Sequence, residues 1–95
     1  MSYMYVIAAH EKNGELVEFK QVYDLNHPEI EFQFSKDVII YSIQNGNKLK
    51  TAYWKYDDGK PCLVEGSEIV VTKDNNLRTL SNGVISDNLS SLSRY

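Results

Sequence analysis

Residues 3–23, YMYVIAAHEKNGELVEFKQVY, contain two strand-like segments on either side of an Asn-Gly pair. Both segments are rich in β-branched and aromatic residues, which favour extended structure. Asn13-Gly14 predicts a two-residue hairpin loop, because both central positions of that tight turn need positive φ. The loop places Lys12 opposite Glu15. The stretch therefore predicts an antiparallel hairpin whose register follows from the turn.

This register divides the predicted hairpin into two faces. One face, with Ala8 opposite Phe19, is largely apolar. The other face carries Tyr5, Ile7 and Val22 beside charged residues, which is more apolar surface than a solvated sheet face normally shows. Exposed apolar patches commonly mark contacts with other proteins. We therefore expect Tyr5, Ile7 and Val22 to form an interface between copies of the chain.

A helix is predicted to begin after Ser35, whose hydroxyl can accept from the first unpaired amides of a helix. Asp37 lies in the first turn, where the helix dipole favours a negative charge. Phe34 and Ile39 occupy the two positions of a hydrophobic staple. Asn45-Gly46 is a suitable C-terminal cap. The β-branched content of the segment also fits a strand, but the caps at both ends favour the helix.

The second half of the chain has the pattern of an all-β segment. Strands are predicted over residues 49–56, 61–64, 68–73 and 77–80, with turns at Asp57-Asp58-Gly59-Lys60 and Asp74-Asn75-Asn76. We therefore predict an α+β fold with an antiparallel sheet of about five strands and one helix packed on one face, in a single domain over residues 1–95. The predicted core comprises Val6, Ala8, Phe19, Phe34, Ile39, Ile43, Ile69, Val71 and Leu77.

The C-terminal tail contains two leucines three residues apart, Leu89 and Leu92. A single turn of helix, capped by Ser86 or its neighbour, would place both leucines on one side. We expect that side to pack on the sheet. Arg94 and Tyr95 follow the last leucine, and the same interpretation treats them as dispensable.

Composition excludes several classes of enzyme. The 95 residues carry 10 Lys+Arg against 13 Asp+Glu, with 2 histidines and 1 cysteine. His10, His27 and Cys62 lie far apart in the sequence and match no metal-ligand spacing, and no phosphate-binding or nucleophile motif occurs. We therefore expect no catalytic site, no metal and no cofactor. A lone cysteine favours a reducing cytoplasm, and no apolar run is long enough for a membrane span.

The cluster Tyr53, Trp54, Lys55 and Tyr56 interleaves aromatic side chains with a lysine, as sheets that stack single-stranded bases do. Modules that bind nucleic acid usually carry an excess of positive charge, whereas this chain has a formal net charge of −3. Asp57-Asp58 also follows the cluster directly. The charge therefore argues against nucleic acid as a partner, and core packing is the competing explanation for these aromatics.

A polar motif near the C-terminus resembles a known family. Gly66-Ser67-Glu68-Ile69-Val70-Val71 leads through a turn to Leu77-Arg78-Thr79, and Asp87-Asn88-Leu89 follows with Leu92 three residues on. In these segments the chain resembles domain-of-unknown-function family 3892, a family of small bacterial proteins. The resemblance implies a bacterial origin and a similar fold, but it implies no activity because none is established for the family.

Two interpretations of this motif stay open. In the first, Arg78 pairs with Asp87, Asn88 caps a turn, and the set fastens the tail. In the second, Arg78, Thr79, Asp87 and Asn88 converge on a small polar ligand, with Arg78 contacting an anion. For the whole chain we expect a non-enzymatic interaction module that self-associates, with a homodimer as the simplest assembly. A single-stranded nucleic-acid-binding domain is the alternative.

Overall fold

The computed structural model describes residues 3–81, 83–86 and 88–95. In these residues the chain forms eight strands, one α-helix and one 3₁₀ helix. The strands are β1 (Met4–Lys12), β2 (Glu15–Val22), β3 (Glu31–Ser35), β4 (Leu49–Asp57), β5 (Lys60–Val71), β6 (Leu77–Ser81), β7 (Val84–Ser86) and β8 (Ser93–Arg94). The helix α1 (Lys36–Gln44) lies between β3 and β4, and the 3₁₀ helix (Asn88–Ser91) precedes β8.

The strands form one mixed sheet in the order β3-β2-β1-β4-β5-β6-β7, and β8 pairs with β1. β1 runs parallel to both β4 and β8, and the other pairs are antiparallel. The predicted fold class is therefore wrong. The described chain is mostly sheet, with eight strands of mixed direction instead of about five antiparallel strands with a helix on one face.

The parallel pairing follows from the position of α1. β3 extends the first hairpin on the side away from β4, and α1 then carries the chain across β2 and β1. A strand that follows such a helical crossover runs in the same direction as the strand before it. As a result, Met4–Val6 pair in parallel with Leu49–Thr51. Local sequence patterns identify both strands but do not reveal which edge of β1 the later one joins.

The strand count differs from the prediction for two further reasons. The predicted strands 61–64 and 68–73 are parts of a single strand, β5, because a register shift near Gly66 lets the strand continue through the glycine. The tail, predicted as a loop with one turn of helix, also contributes β7 and β8. Strands of three and two residues are too short to show an alternating pattern.

The first hairpin has the predicted register at both ends but not in the middle. Lys12 lies opposite Glu15, and Tyr5 lies opposite Val22, as the Asn-Gly turn predicts. Between these pairs two bulges, one in each strand, shift the register by one residue and then restore it. Phe19 consequently faces Ala9 instead of Ala8.

The helix α1 has the predicted ends. The hydroxyl of Ser35 accepts a hydrogen bond from the backbone N–H of Val38 at 3.4 Å. At the other end Asn45 is the C-cap, and Gly46 adopts φ +94°, a conformation that glycine supplies without strain. Ile39 and Ile40 are the buried residues of the helix.

The described side chains form two apolar cores. The larger core holds Val6, Ala9, Phe19, Ile39, Ile40, Leu49, Ile69, Leu77, Leu89 and Leu92, with Phe34, Ile43 and Val71 among the half-buried residues packed against it. Eight of the nine predicted core residues thus belong to this cluster or pack on it. The exception is Ala8, which the bulge in β1 assigns to the smaller core with Ile7, Val22, Ala52 and Leu63.

The tail closes the larger core as predicted. The 3₁₀ helix brings Leu89 and Leu92 together, and each side chain retains only 3% of its exposure. Full burial of a leucine contributes about 1.5–3 kcal/mol, so the two are a large share of the stability of a small domain.

The prediction that Tyr95 is dispensable is not supported by its contacts. Its hydroxyl donates to Glu18 Oε1 at 3.1 Å, and its backbone N–H donates to the carbonyl of Ala9 at 3.2 Å. Its ring packs on the smaller core and lies 4.6 Å from Lys20 Nζ. Burial, followed by the hydrogen bond to Glu18, raises the pKa of Tyr95 to about 12.

We predict that Leu92→Ala lowers the free energy of unfolding by about 2–5 kcal/mol, because it opens a cavity in the larger core. Val84→Ala is the matched control, since Val84 is 63% exposed and its loss should change stability by less than about 0.5 kcal/mol. Urea denaturation of both variants measures the difference. Equal stability of the two variants would show that the tail does not close the core.

A second prediction concerns alkaline pH. The folded-state pKa of Tyr95, about 12, lies above the ordinary value of 10.0, so its contribution is fully present below pH 10.0 and is lost as pH rises towards 12. Tyr95→Phe removes both the hydroxyl and its titration. The stability advantage of the wild type over Tyr95→Phe should therefore be constant below pH 10.0 and shrink above it. A difference that does not change with pH in denaturation curves would contradict this.

Candidate functional site

β4 and β5 extend beyond the rest of the sheet as a two-stranded ribbon. β1 pairs with β4 over Leu49–Thr51, and β6 pairs with β5 over Glu68–Val71. Between these points, in the part of the chain that the structure describes, the two strands pair only with each other, from Ala52 opposite Glu65 to Asp57 opposite Lys60. We call residues 52–65 the arm. All residues from 54 to 62 are exposed.

The tip of the arm is a two-residue turn. Asp58 and Gly59 have φ angles of 50° and 75°, and Asp57 faces Lys60 across the turn. Positive φ at both central residues gives the turn a twist that matches a right-handed β-ribbon. The predicted turn at this position is thus confirmed, and it fixes the register of the arm.

The base of the arm depends on Gly66. The Thr51 hydroxyl accepts a hydrogen bond from the backbone N–H of Ser67 at 3.0 Å, which holds the shifted register in place. A Cβ atom on Gly66 would overlap Thr51 Oγ1 and lie 2.5 Å from Tyr53 Cε2. Only glycine fits at this position without displacement of the neighbouring strand.

The aromatic cluster is divided between the two faces of the arm, because successive residues of a strand point to opposite sides. Trp54 and Tyr56 share one face and are 48% and 73% exposed. Tyr53 and Lys55 lie on the other face, where Tyr53 packs against the larger core and its hydroxyl lies 3.4 Å from Ser91 Oγ. The four residues proposed to stack bases therefore do not form one surface.

Charges at the base of the arm are matched. Lys50 forms an ion pair with Glu65, and the Tyr5 hydroxyl donates to Glu65 Oε2 at 3.5 Å. The hydrogen bond to Glu65 raises the pKa of Lys50, and burial, followed by the charge of Glu65, raises the pKa of Tyr5. Lys50 also lies 4.3 Å from the centre of the Tyr3 ring. The charge of Lys50, which lies on the same side of β4 as Trp54, is thus already balanced by Glu65.

The predicted interface residues Tyr5, Ile7 and Val22 lie together, but inside the chain. Val22 is fully buried and Ile7 is 8% exposed, both in the smaller core. Tyr5 is half-buried against the same core. Leu25 and Tyr95 pack over these residues, so the expectation that they would otherwise face water does not hold.

The polar motif is only partly described. Thr79 is fully buried. Arg78 is half-buried and precedes Thr79 directly in β6, so the two side chains point to opposite sides of the strand. They do not converge on a common ligand. Asn88 begins the 3₁₀ helix, and Asp87 lies outside the described residues.

Sequence analysis located the aromatic residues of the arm but missed its two unpaired edges. The strand lengths in the structure account for these edges. β4 has 9 residues and β5 has 12, whereas β6 has only 5, so part of the β4–β5 hairpin extends past its neighbours. The signal in the sequence is Pro61, since proline within a sheet is confined to edges and strand ends.

We predict that Gly66→Ala destabilises the protein by about 1–3 kcal/mol, the usual cost of forcing atoms into a packed site. Gly14→Ala is the comparison, because a Cβ atom there meets nothing within 4 Å and only the positive φ is penalised. Amide exchange should show faster opening of the arm in Gly66→Ala. If Gly66→Ala were less harmful than Gly14→Ala, the close packing at the base would be contradicted.

In the described part of the chain, no group of His, Cys, Asp and Glu side chains could hold a metal ion. Within the same residues no helix is long and apolar enough to cross a membrane. No family model, curated protein or solved structure matches the chain. The resemblance to family 3892 therefore rests on the quoted motifs alone and stays a prediction.

Proposed function

We propose that the chain is a non-enzymatic interaction module that self-associates through the outer edge of β4 in the arm. One observation carries the proposal. Residues 52–57 pair on one side only, among the residues that the structure describes, and they expose Trp54 and Tyr56 at the unpaired edge.

An unpaired strand edge is a template for another strand. Its amide and carbonyl groups lack partners within the sheet, and natural proteins usually protect such edges with charges, bulges or a covering segment. A two-stranded ribbon is also only marginally stable in water by itself. Addition of a third strand would pair the edge groups and cover the exposed apolar side chains, so association and stability of the arm favour each other.

The outer edge of β4 suits pairing better than the outer edge of β5. Because Asp57 and Lys60 flank a two-residue turn, they form a hydrogen-bonded pair, and the next residue of each strand directs its backbone groups outward. On β5 that next residue is Pro61, which has no N–H to donate. On β4 it is Tyr56, and the corresponding groups of Trp54 also point outward.

A second copy of the chain fits the β4 edge by charge. If two β4 strands pair antiparallel about a two-fold axis at Tyr56, Lys55 of each copy lies opposite Asp57 of the other. An isologous contact of this kind repeats each favourable pair twice. The same register places both copies' Trp54 and Tyr56 on one face, where they form a continuous aromatic surface.

The arm is less suited to nucleic acid. Lys55 lies on the face opposite Trp54 and Tyr56, and Asp57 and Asp58 are adjacent to it. A phosphate backbone following the aromatic face would meet little positive charge. Quenching of Trp54 fluorescence by a single-stranded oligonucleotide at low salt, with oligomeric state unchanged, would favour nucleic-acid binding over self-association.

The proposal includes a cytoplasmic location, for which the support is a single cysteine without a partner in the chain. Cys62 is free and exposed on the arm. A reducing compartment keeps such a thiol reduced. The same thiol offers a native labelling site for the experiments that follow.

Charge reversal tests the interface. Both Lys55→Asp and Asp57→Lys place like charges opposite each other in the proposed dimer, and each should weaken it by about tenfold, since two symmetric cross-strand pairs change sign. An equimolar mixture of the two variants restores opposite charges and should dimerise like the wild type. Lys73→Asp, in the β5–β6 turn, is the control. Light scattering coupled to size exclusion measures each sample.

Two results would overturn the proposal. A wild-type chain that is strictly monomeric at high micromolar concentration would rule out self-association. If Lys55→Asp leaves the affinity of the dimer unchanged, the outer edge of β4 is not the interface. The register has its own test, because three strand spacings of about 4.8 Å and an offset of two residues along the strands place the two Cys62 Cα atoms about 16 Å apart. Spin labels on Cys62 should therefore report a short distance between copies.

A further inference from the structure

The chain contains three Asn-Gly pairs, at residues 13–14, 45–46 and 82–83. An asparagine before a glycine is chemically labile, because the backbone nitrogen of the glycine can attack the side-chain amide and no Cβ atom on the glycine hinders it. The folded structure decides whether this attack occurs, since the two groups must approach each other. The structure describes the first two pairs in full, and Asn82 lies outside the described residues.

The pair Asn45-Gly46 is held in place at the C-terminal end of α1. Asn45 Nδ2 donates a hydrogen bond to the carbonyl of Tyr41 at 2.8 Å. The backbone N–H of Gly46, which carries the attacking nitrogen, donates to the carbonyl of Ile43 at 3.0 Å. Attack at Asn45 therefore requires both hydrogen bonds to break and the last turn of the helix to open.

The pair Asn13-Gly14 forms the exposed loop of the first hairpin. A turn of this kind is closed by a hydrogen bond between its first and fourth residues, here Lys12 and Glu15, so it does not use the N–H of Gly14. A Cβ atom added to Gly14 would meet no atom of the described residues within 4 Å, its chain neighbours aside. Water therefore has open access to this pair.

The reactive geometry is also easier to reach at Asn13 than at Asn45. Asn13 has φ +54°, in the left-handed region that is unfavourable for residues with a Cβ atom. The attack needs rotation about the Asn13 Cα–C bond, so it proceeds from molecules in which the loop has opened locally. Opening of an exposed loop takes less free energy than opening of a packed, hydrogen-bonded segment.

We propose that Asn13 is a modification site, at which the chain deamidates without an enzyme and with water as the co-reactant. The Gly14 nitrogen loses its proton and bonds to Asn13 Cγ, and the side-chain nitrogen leaves with that proton as ammonia. Water then adds to either carbonyl of the resulting succinimide and opens the ring. The products are aspartate and isoaspartate, each with one more negative charge than asparagine.

The two products affect the hairpin differently. Asp-Gly favours the same two-residue turn as Asn-Gly, so the aspartate product retains the register of β1 and β2. In isoaspartate the main chain passes through Cβ, which lengthens the loop by one main-chain atom. Lys12 and Glu15 then no longer close a standard two-residue turn, so isoaspartate weakens the pairing of β1 with β2. The site is separate from the arm and does not depend on the proposed self-association.

The test follows the full chain, folded and in denaturing urea, during incubation at mildly alkaline pH. Cleavage after lysine and arginine places the three Asn-Gly pairs in three different peptides, which mass spectrometry follows separately. In urea Asn13 and Asn45 should react at similar rates, because each precedes a glycine. In the folded chain Asn13 should react at least about tenfold faster, since only Asn45 must first break two hydrogen bonds.

Two variants separate the reaction from its consequence. Asn13→Gln should abolish the reaction at residue 13, because its longer side chain would have to close a larger ring. Aged wild-type chain with isoaspartate at residue 13 should melt at a lower temperature than Asn13→Asp, which carries the same charge in a normal main chain. Equal rates at Asn13 and Asn45 in the folded chain would overturn the proposal, as would an Asn13 that reacts in urea but stays intact when folded. If the isoaspartate form melts like Asn13→Asp, the effect on the hairpin is refuted. None of these results bears on the oligomeric state, which tests the arm separately.

Discussion

The fold depends on β1 being paired along both edges by three different strands. β2 follows one edge over its length, while the other edge is shared, with β4 beside Met4–Val6 and β8 beside Ala8–Ala9. All four residues from Val6 to Ala9 are buried as a result. A strand in this position cannot leave half of an edge unpaired without burying unsatisfied amides and carbonyls, which is costly.

This shared edge links the arm to the tail. β4 diverges from β1 after Thr51, and its continuation becomes the arm. The part of the β1 edge beyond β4 then needs another partner. β8 pairs with it where the tail returns over the larger core. The bulge in β1 occurs between Val6 and Ala8, where the partner changes from β4 to β8. A bulge increases local twist and bends a strand, which suits a change of partner at that point.

A feature of this fold could be predicted from the sequence when residues close together in the chain determine it. The turns at Asn13-Gly14 and Asp58-Gly59 and the caps at Ser35 and Gly46 formed as predicted, because a few adjacent residues fix those backbone angles. Partner choice is not local. The parallel pairing of β1, the two-residue strand β8 and the exchange of Ala8 for Ala9 in the core all depend on contacts between distant segments.

The candidate sites divide in the same way. The aromatic residues of the arm and the charge of Arg78 are visible in the sequence, but the distribution of Tyr53 and Trp54 over two faces requires the register. Identifying the unpaired edge of β4 requires knowledge of where β1 stops pairing with β4. The sequence therefore indicates which side chains carry chemistry, and the sheet topology decides which of them share a surface.

The tail supports the base of the arm as well as the larger core. Ser91, at the end of the 3₁₀ helix, lies against the Tyr53 hydroxyl at the base of the arm. Leu89 and Leu92 anchor the same short segment in the larger core. Local opening of a chain terminus generally costs less free energy than global unfolding. Because one segment both contacts the arm and closes the core, its detachment would remove support from the two at once. The stability of the arm is therefore coupled to that of the tail.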